Sequence, residues 1–351
     1  MPSRIQRQAI VSAIFFSASL CSEGRTALPA TIADPPQVAF VTNNPDPFWS
    51  IVEAGCRKAE KETGVQVVFR KPASGDPAAQ QEVIESLVNR KIKAISVSVS
   101  DPKNQTAYLN EVAAKVPLLA VDNDAPNSNR LCYIGTDNYV AGRAAGKLVK
   151  EALPNGGTVA LFVGLTESLN AHQRCQGVLD ELADAPTPND TNRLPALPTR
   201  STQFGKYKLL KIYTDQPEGQ TKAVQNASDA LIQLGNETNV CLVGLWAYNP
   251  PAILTAVKDA NKLGKVKIVG FDENPVTLKG IEDGQIDATV VQDPFNFGYE
   301  SVKAMAELAK GGQYTGPKLR AVPHRVVTKA GGKSSITVAE YKEQEAKKAG
   351  K

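Results

Sequence analysis

The sequence predicts an α/β fold built on two parallel sheets. Short apolar runs alternate with helical patterns of roughly 10–16 residues from residue 37 onward. The runs are continuous rather than polar–apolar alternating, as expected for strands covered on both faces. There are about ten of them, more than one sheet usually holds and natural for two. Strand–helix repetition of this kind implies parallel pairing. A length of 351 residues allows about two domains, each with its own core.

In chain order, strands are expected at 38–42, 65–69, 94–99, 118–121, 131–134, 158–163, 209–213, 240–245, 266–271 and 288–291. Helical patterns fall at 48–62, 78–90, 104–115, 139–152, 170–183, 220–234, 251–263 and 296–310. The division between the two sheets falls near Asn138. One segment breaks the rhythm. Residues 184–205 are rich in Pro, Asn, Thr and Arg without periodicity and read as a surface insertion.

The N-terminus differs from the rest. Arg4 and Arg7 precede an apolar run at 9–20, too short to span a bilayer and suited to the apolar region of an export signal. A Thr/Ala/Pro-rich stretch follows, so residues 1–36 read as signal peptide and linker. Cys21 stands where a lipid-anchored protein carries its modified cysteine, although Leu20 occupies a position where such signals prefer a small residue. The other four cysteines, Cys56, Cys132, Cys175 and Cys241, have no metal-ligand spacing and read as small buried hydrophobes.

Composition excludes some classes. A formal net charge of +4 without clustered Lys and Arg argues against a nucleic-acid surface. Gly142–Lys147 has the wrong glycine spacing for a phosphate loop, and Leu148 stands where a hydroxyl is needed, so this stretch reads as close helix packing. No Gly-x-Ser-x-Gly elbow is present, and His172 and His324 are the only histidines. Asp272 and Glu273 are adjacent, so their side chains would diverge rather than act as an acid–base pair.

Ligands of open parallel sheets bind beyond the carboxyl ends of the strands, so the residues after each run matter most. After 38–42 come Asn43, Asn44, Asp46, Phe48 and Trp49; after 118–121 come Asp122, Asn123 and Asp124. Later strand ends supply Asn170 and Arg174, then Trp246, Tyr248 and Asn249, then Asp272, and finally Gln292 and Asp293. Carboxylates accept hydroxyl hydrogens, amides donate and accept, arginine donates a planar fork, and aromatic rings cover apolar C–H faces. The set suits a sugar. Each member also has a plainer use: Phe48 and Trp49 can anchor the core, and an Asp or Asn after a strand is often a helix N-cap.

The motifs VAFVTNNPDPFW, LLAVDNDAP, YIGTDNYVAGRAAG, LNAHQRCQGV, KVKIVGFDENP and DATVVQDPFNFG, in this order, resemble the periplasmic sugar-binding proteins of ABC importers, the ribose-binding type. The resemblance covers roughly residues 37–328. It implies two doubly wound lobes of periplasmic binding protein type I joined by a three-segment hinge that closes on a monosaccharide. It assigns first-lobe contacts to Thr42, Asn43 and Asp46, stacking rings to Phe48 and Trp49, and the ring-hydroxyl acid to Asp122. Asn170, Arg174, Asn249, Asp272 and Gln292 follow as second-lobe and crossover contacts. Asn123 joins the set beside Asp122, and Trp246 as a strand-end aromatic.

Departures are visible. Asn123 and Asp124 stand where ribose binders carry Arg, Asp46 stands where Asn is expected, and an Arg expected near His172 is displaced or replaced, leaving Arg174. These point away from ribose itself toward another neutral polyhydroxylated ligand. The implied lobes are 37–138 plus 293–322 and 139–292 plus 323–338, with 339–351 as a polar tail, read as a solvated helix or a frayed end. The resemblance further implies an exported, periplasmic monomer that hands a small sugar to a membrane permease, without cofactor, metal, nucleic acid or catalytic residue. A sensor subunit presenting sugar to a signalling receptor is the alternative. A sugar-responsive repressor would instead begin with a helix-turn-helix, and a glycoside-processing enzyme would turn over a chromogenic glycoside.

Overall fold

The computed structural model describes residues 34–215 and 219–348. In chain order the elements begin with β1 (Gln37–Val41), α1 (Trp49–Thr63), β2 (Gln66–Arg70), α2 (Pro77–Asn89), β3 (Ile95–Val97), α3 (Pro102–Ala113), β4 (Leu118–Val121) and β5 (Tyr133–Gly135). The middle of the chain forms α4 (Asn138–Ala152), β6 (Gly157–Val163), α5 (Leu169–Leu182), β7 (Thr202–Phe204), β8 (Tyr207–Thr214), α6 (Gln220–Leu234), β9 (Val240–Gly244), α7 (Asn249–Asp259) and β10 (Val266–Phe271). It ends with α8 (Pro275–Glu282), β11 (Ala288–Val291), α9 (Pro294–Ala309), β12 (Leu319–Ala321), β13 (Arg325–Thr328) and α10 (Val338–Lys348).

Two sheets result, ordered β12-β5-β4-β3-β1-β2 and β13-β11-β10-β9-β6-β8-β7. Pairing is parallel except at the two edges of the second sheet, where β13 and β7 run antiparallel to their neighbours. The chain crosses between sheets three times: through α4 after β5, through α9 after β11, and between β12 and β13. The expected α/β architecture of two lobes and a three-segment hinge is therefore present.

The uninterrupted apolar runs are explained by double coverage. In β1, Val38 and Phe40 enter one core while Ala39 and Val41 enter the other. In β9, Val240 and Leu242 face one core and Cys241 and Val243 the opposite one. A period-2 polar pattern would place polar groups in one of these interiors; each buried Val, Leu or Phe there instead contributes about 1.5–3 kcal/mol.

Four helices open with the same chemical device. Asp76, Asp101, Asn274 and Asp293 are N-caps whose side chains accept the N–H of Ala78, Asn104, Val276 and Asn296, and each is followed by proline. The cap satisfies a free helical donor, and proline at the first helical position has no N–H to waste.

The remaining differences from expectation have local causes. The insertion 184–205 is irregular for most of its length, but Thr202–Phe204 near its end form β7 on the sheet edge. Backbone pairing there needs no apolar periodicity, so composition concealed it. The described part of the tail, to Lys348, belongs to α10, with one face docked: Val338 and Tyr341 are buried in the second lobe's core. Arg325 lies over the Tyr341 ring at 4.9 Å, and Lys348 pairs with Asp293 at 2.6 Å. The export segment and Cys21 lie outside the described residues. Among those residues no helix is long and apolar enough to cross a membrane.

Glycine permits the closest helix crossings. A Cβ on Gly142 of α4 would lie 2.3 Å from the carbonyl oxygen of Arg174, and one on Gly177 of α5 would lie 2.3 Å from that of Tyr139. The stretch from Gly142 to Lys147 is thus a packing surface, and it sets the height of Arg174 above the second sheet. Gly142→Val should lower stability by about 1–3 kcal/mol or more through overpacking, read as a fall in thermal midpoint. Lys147→Ala, on the exposed face of the same helix, should stay within about 0.5 kcal/mol.

Candidate functional site

The two lobes carry the same construction at facing strand ends. Asp122 follows the last residue of β4, and Asp272 follows the last residue of β10. Both adopt left-handed backbone, with φ of 60° and 66°, a conformation that costs an ordinary side chain on the order of 1 kcal/mol or more. Each N–H continues the sheet, to Ile134 at 3.2 Å and to Val290 at 2.7 Å. Each carbonyl accepts a hydroxyl, from Tyr133 at 2.8 Å and from Thr289 at 2.9 Å. Each carboxylate has one oxygen held, by Ser98 Oγ at 2.9 Å and by Gln292 Nε2 at 2.8 Å. Neither residue caps a helix, which separates them from Asp76, Asp101 and Asp293.

Arg174 lies between them. It is fully buried, donates to Asn138 Oδ1 and to the Leu245 carbonyl at 2.8 Å each, and stacks 4.0 Å above the Phe271 ring. Its Nη2 has no protein partner. Burial lowers its pKa, opposed by the charges of Asp272 and Asp122.

A small cavity of about 60 Å³ opens between the lobes. Of the residues expected at the site, Asn43, Asp46, Phe48, Trp49, Asp122, Asn170, Arg174, Trp246, Asp272 and Gln292 line it. Three do not. Thr42 is fully buried, its hydroxyl bonded to the Asn44 carbonyl at 2.7 Å. Asn249 is fully buried, holding Asp215 and the Trp246 N–H, and so supports the aromatic loop from beneath. Asn123 donates to the Val99 carbonyl and accepts the Asn170 N–H at 3.1 Å. That last bond joins the lobes.

Asn44, Ala247 and Tyr248 complete the lining. Asn44 Oδ1 accepts both the Asp46 N–H and Trp49 Nε1–H at 2.9 Å, fixing the first-lobe loop. Trp49 is therefore both core anchor and pocket wall, packed edge-on to Phe48 at 5.2 Å. Asp215 was not anticipated; it bonds Tyr248 Oη at 2.5 Å and Asn249 at 2.8 Å. It follows the last residue of β8, so the strand-end rule applied to that strand would have found it. His172 bonds the Pro195 carbonyl at 2.8 Å and so fastens the insertion.

Five lining side chains present a buried polar atom without a protein partner. Asn43 Oδ1, Asn170 Oδ1 and Gln292 Oε1 are acceptors; Arg174 Nη2 and Trp246 Nε1 are donors. Buried polar groups are rarely left unpaired, and this mixture matches a compact molecule with several hydroxyls.

The family model described as "periplasmic binding protein domain" matches residues 38–313. The chain belongs to that family. Among curated relatives, the D-allose-binding periplasmic protein of Escherichia coli K12 is 25% identical over 283 residues, covering 76% of this chain and 82% of that relative. The ribose import binding protein RbsB of Haemophilus influenzae is 26% identical over 272 residues, with coverage of 76% and 82%. Among solved structures, an ABC transporter solute-binding protein of Burkholderia graminis in complex with D-arabinose aligns with a TM-score of 0.75 at 25% identity, covering 87% of this chain and 99% of that one. These relatives are binding proteins and not enzymes.

In this periplasmic binding protein the acids carry perturbed affinities for protons. Burial raises Asp122, against the pull of Arg174 and Ser98. Asp272 is pushed up to about 6 by burial, with Arg174 and Gln292 opposing and Asp122 and Asp46 adding. Glu273 is raised well above the carboxylate range by burial beside Asp272 and does not line the pocket.

Two outcomes follow. Asp272 is buried here, and separating the lobes would return it toward water, so the form described binds a proton more tightly than an opened one would. Stabilisation of the closed form is fully present below the ordinary carboxylate pKa and is lost as pH rises through about 6. Scattering or inter-lobe fluorescence transfer on the ligand-free protein should show more closed form at pH 5 than at pH 7.5, by roughly 1–3 kcal/mol, and Asp272→Asn should flatten that dependence. Asn123→Ala should weaken ligand binding by about 2–10-fold, mainly through faster release, because it removes a bond made only when the lobes meet.

Proposed function

We propose that this protein captures a monosaccharide or related polyol by closing its two lobes and delivers it to the permease of an ABC importer. The observation that carries the reading is the ring of unpartnered donors and acceptors, with facing acids from both lobes, in one pocket. A pyranose or furanose offers hydroxyls that both donate and accept, and its C–H face suits Phe48, Trp49 and Trp246. The ligand touches both lobes at once, so binding and closure are the same equilibrium. The names of the relatives, binders of ribose and allose, and of a neighbour holding arabinose point to the same ligand class. The protein acts as an exported monomer, without cofactor or metal, and the closed lobes form the face that the permease reads.

Titration calorimetry against pentoses, hexoses and polyols tests this. At least one should bind with micromolar affinity or better. Asp122→Ala and Asp272→Ala should each weaken it by about 100-fold, since each removes a buried charge-assisted hydrogen bond and leaves Arg174 less compensated. If no member of the panel binds, sugar capture is the wrong function.

A further inference from the structure

The pocket is short of positive charge. Its lining includes three carboxylates, Asp46, Asp122 and Asp272, against a single cation, Arg174, and no lysine or histidine. Arg174 is shared: both Asp122 and Asp272 act on it, one from each lobe. Asp46 is the unanswered acid. One of its oxygens accepts the Phe48 N–H at 2.8 Å, and no described side chain forms an ion pair with it.

The neutral groups lean the same way. Gln292, 2% exposed, has its amide nitrogen committed to Asp272, so the atom left over is an acceptor. Asn170, 6% exposed, likewise presents an unpartnered carbonyl oxygen. With the carboxylates, acceptors outnumber the two unpartnered donors, Arg174 Nη2 and Trp246 Nε1. Four aromatic rings, Phe48, Trp49, Trp246 and Tyr248, complete the wall. The acids are not a metal site: among the described residues no group of three potential ligands lies close enough to hold an ion.

We infer that the sugar this pocket favours carries an ammonium group, an amino sugar or aminated polyol, with Asp46 as its counter-charge. An ammonium brings three donors, no acceptor and one positive charge, which are the quantities the pocket lacks. Aromatic walls favour a cation further through their ring faces. A sugar acid or sugar phosphate would meet the same carboxylates and be rejected. This rests on the sugar-binding reading and narrows it.

The test compares D-glucosamine, D-galactosamine and D-mannosamine with their parent hexoses, their N-acetyl derivatives and the matching uronates, by calorimetry at neutral pH. At least one amino sugar should bind about tenfold or more tighter than its parent, N-acetylation should abolish the gain, and uronates should not bind. Asp46→Asn keeps the acceptor for the Phe48 N–H and should collapse the ratio between amino sugar and parent. Parent hexoses binding as tightly as all three amino sugars would overturn the inference and leave sugar capture standing. A preference unchanged in Asp46→Asn would also overturn it. If neither parents nor amino sugars nor any other polyol binds, both readings fail together.

Discussion

A guanidinium removed from water has to be answered by charges and acceptors that are removed with it. Arg174 is that group, and much of the structure around the pocket follows from it. Helix crossing through Gly142 seats its backbone, Asn138 and the Leu245 carbonyl take two of its donors, and Phe271 lies beneath its plane. Its counter-charges come from different lobes, Asp122 from the first and Asp272 from the second. Separating the lobes would return part of the arrangement to water. Buried charge is poor evidence of stability but good evidence of a defined geometry, and here the geometry is that of two sheets facing each other across a pocket.

The fold was legible because double-sided burial writes itself into composition. Uninterrupted apolar strands such as Val38–Val41 and Val240–Val243 cannot be exposed on either face. Part of what escaped is held by backbone pairing or by ion pairs rather than by an apolar period. β7 and the docked face of α10 are of this kind, the latter seated by Tyr341, Arg325 and Lys348 on a mostly polar helix. Much of the pocket lining was legible too, because the ends of parallel strands are where side chains escape the sheet.

The expected residues that do not line the pocket share one feature. Position after a strand says that a side chain is near the cleft, not which way it points. Thr42, Asn123 and Asn249 are each adjacent to residues that line the pocket, yet each turns inward and spends its polar atoms on backbone or on Asp215. Asn44 and Asp215 were the opposite case, polar neighbours whose roles depend on loop geometry. Backbone conformation is the better discriminator: Asp122 and Asp272 take up left-handed φ, whereas the capping Asp76 is extended and Asp293 lies at φ −128°.

All four described cysteines are free and buried. Burial pushes the Cys175 thiol up to about 12 and raises Cys56, Cys132 and Cys241 as well, so none is a ready nucleophile at neutral pH. The described surface is therefore blank to thiol-directed dyes. Among the described residues, a single cysteine introduced at the cleft rim would be the one thiol open to a fluorophore. A molecule whose natural work is to change shape around a small solute thereby becomes a frame for an optical sensor of that solute.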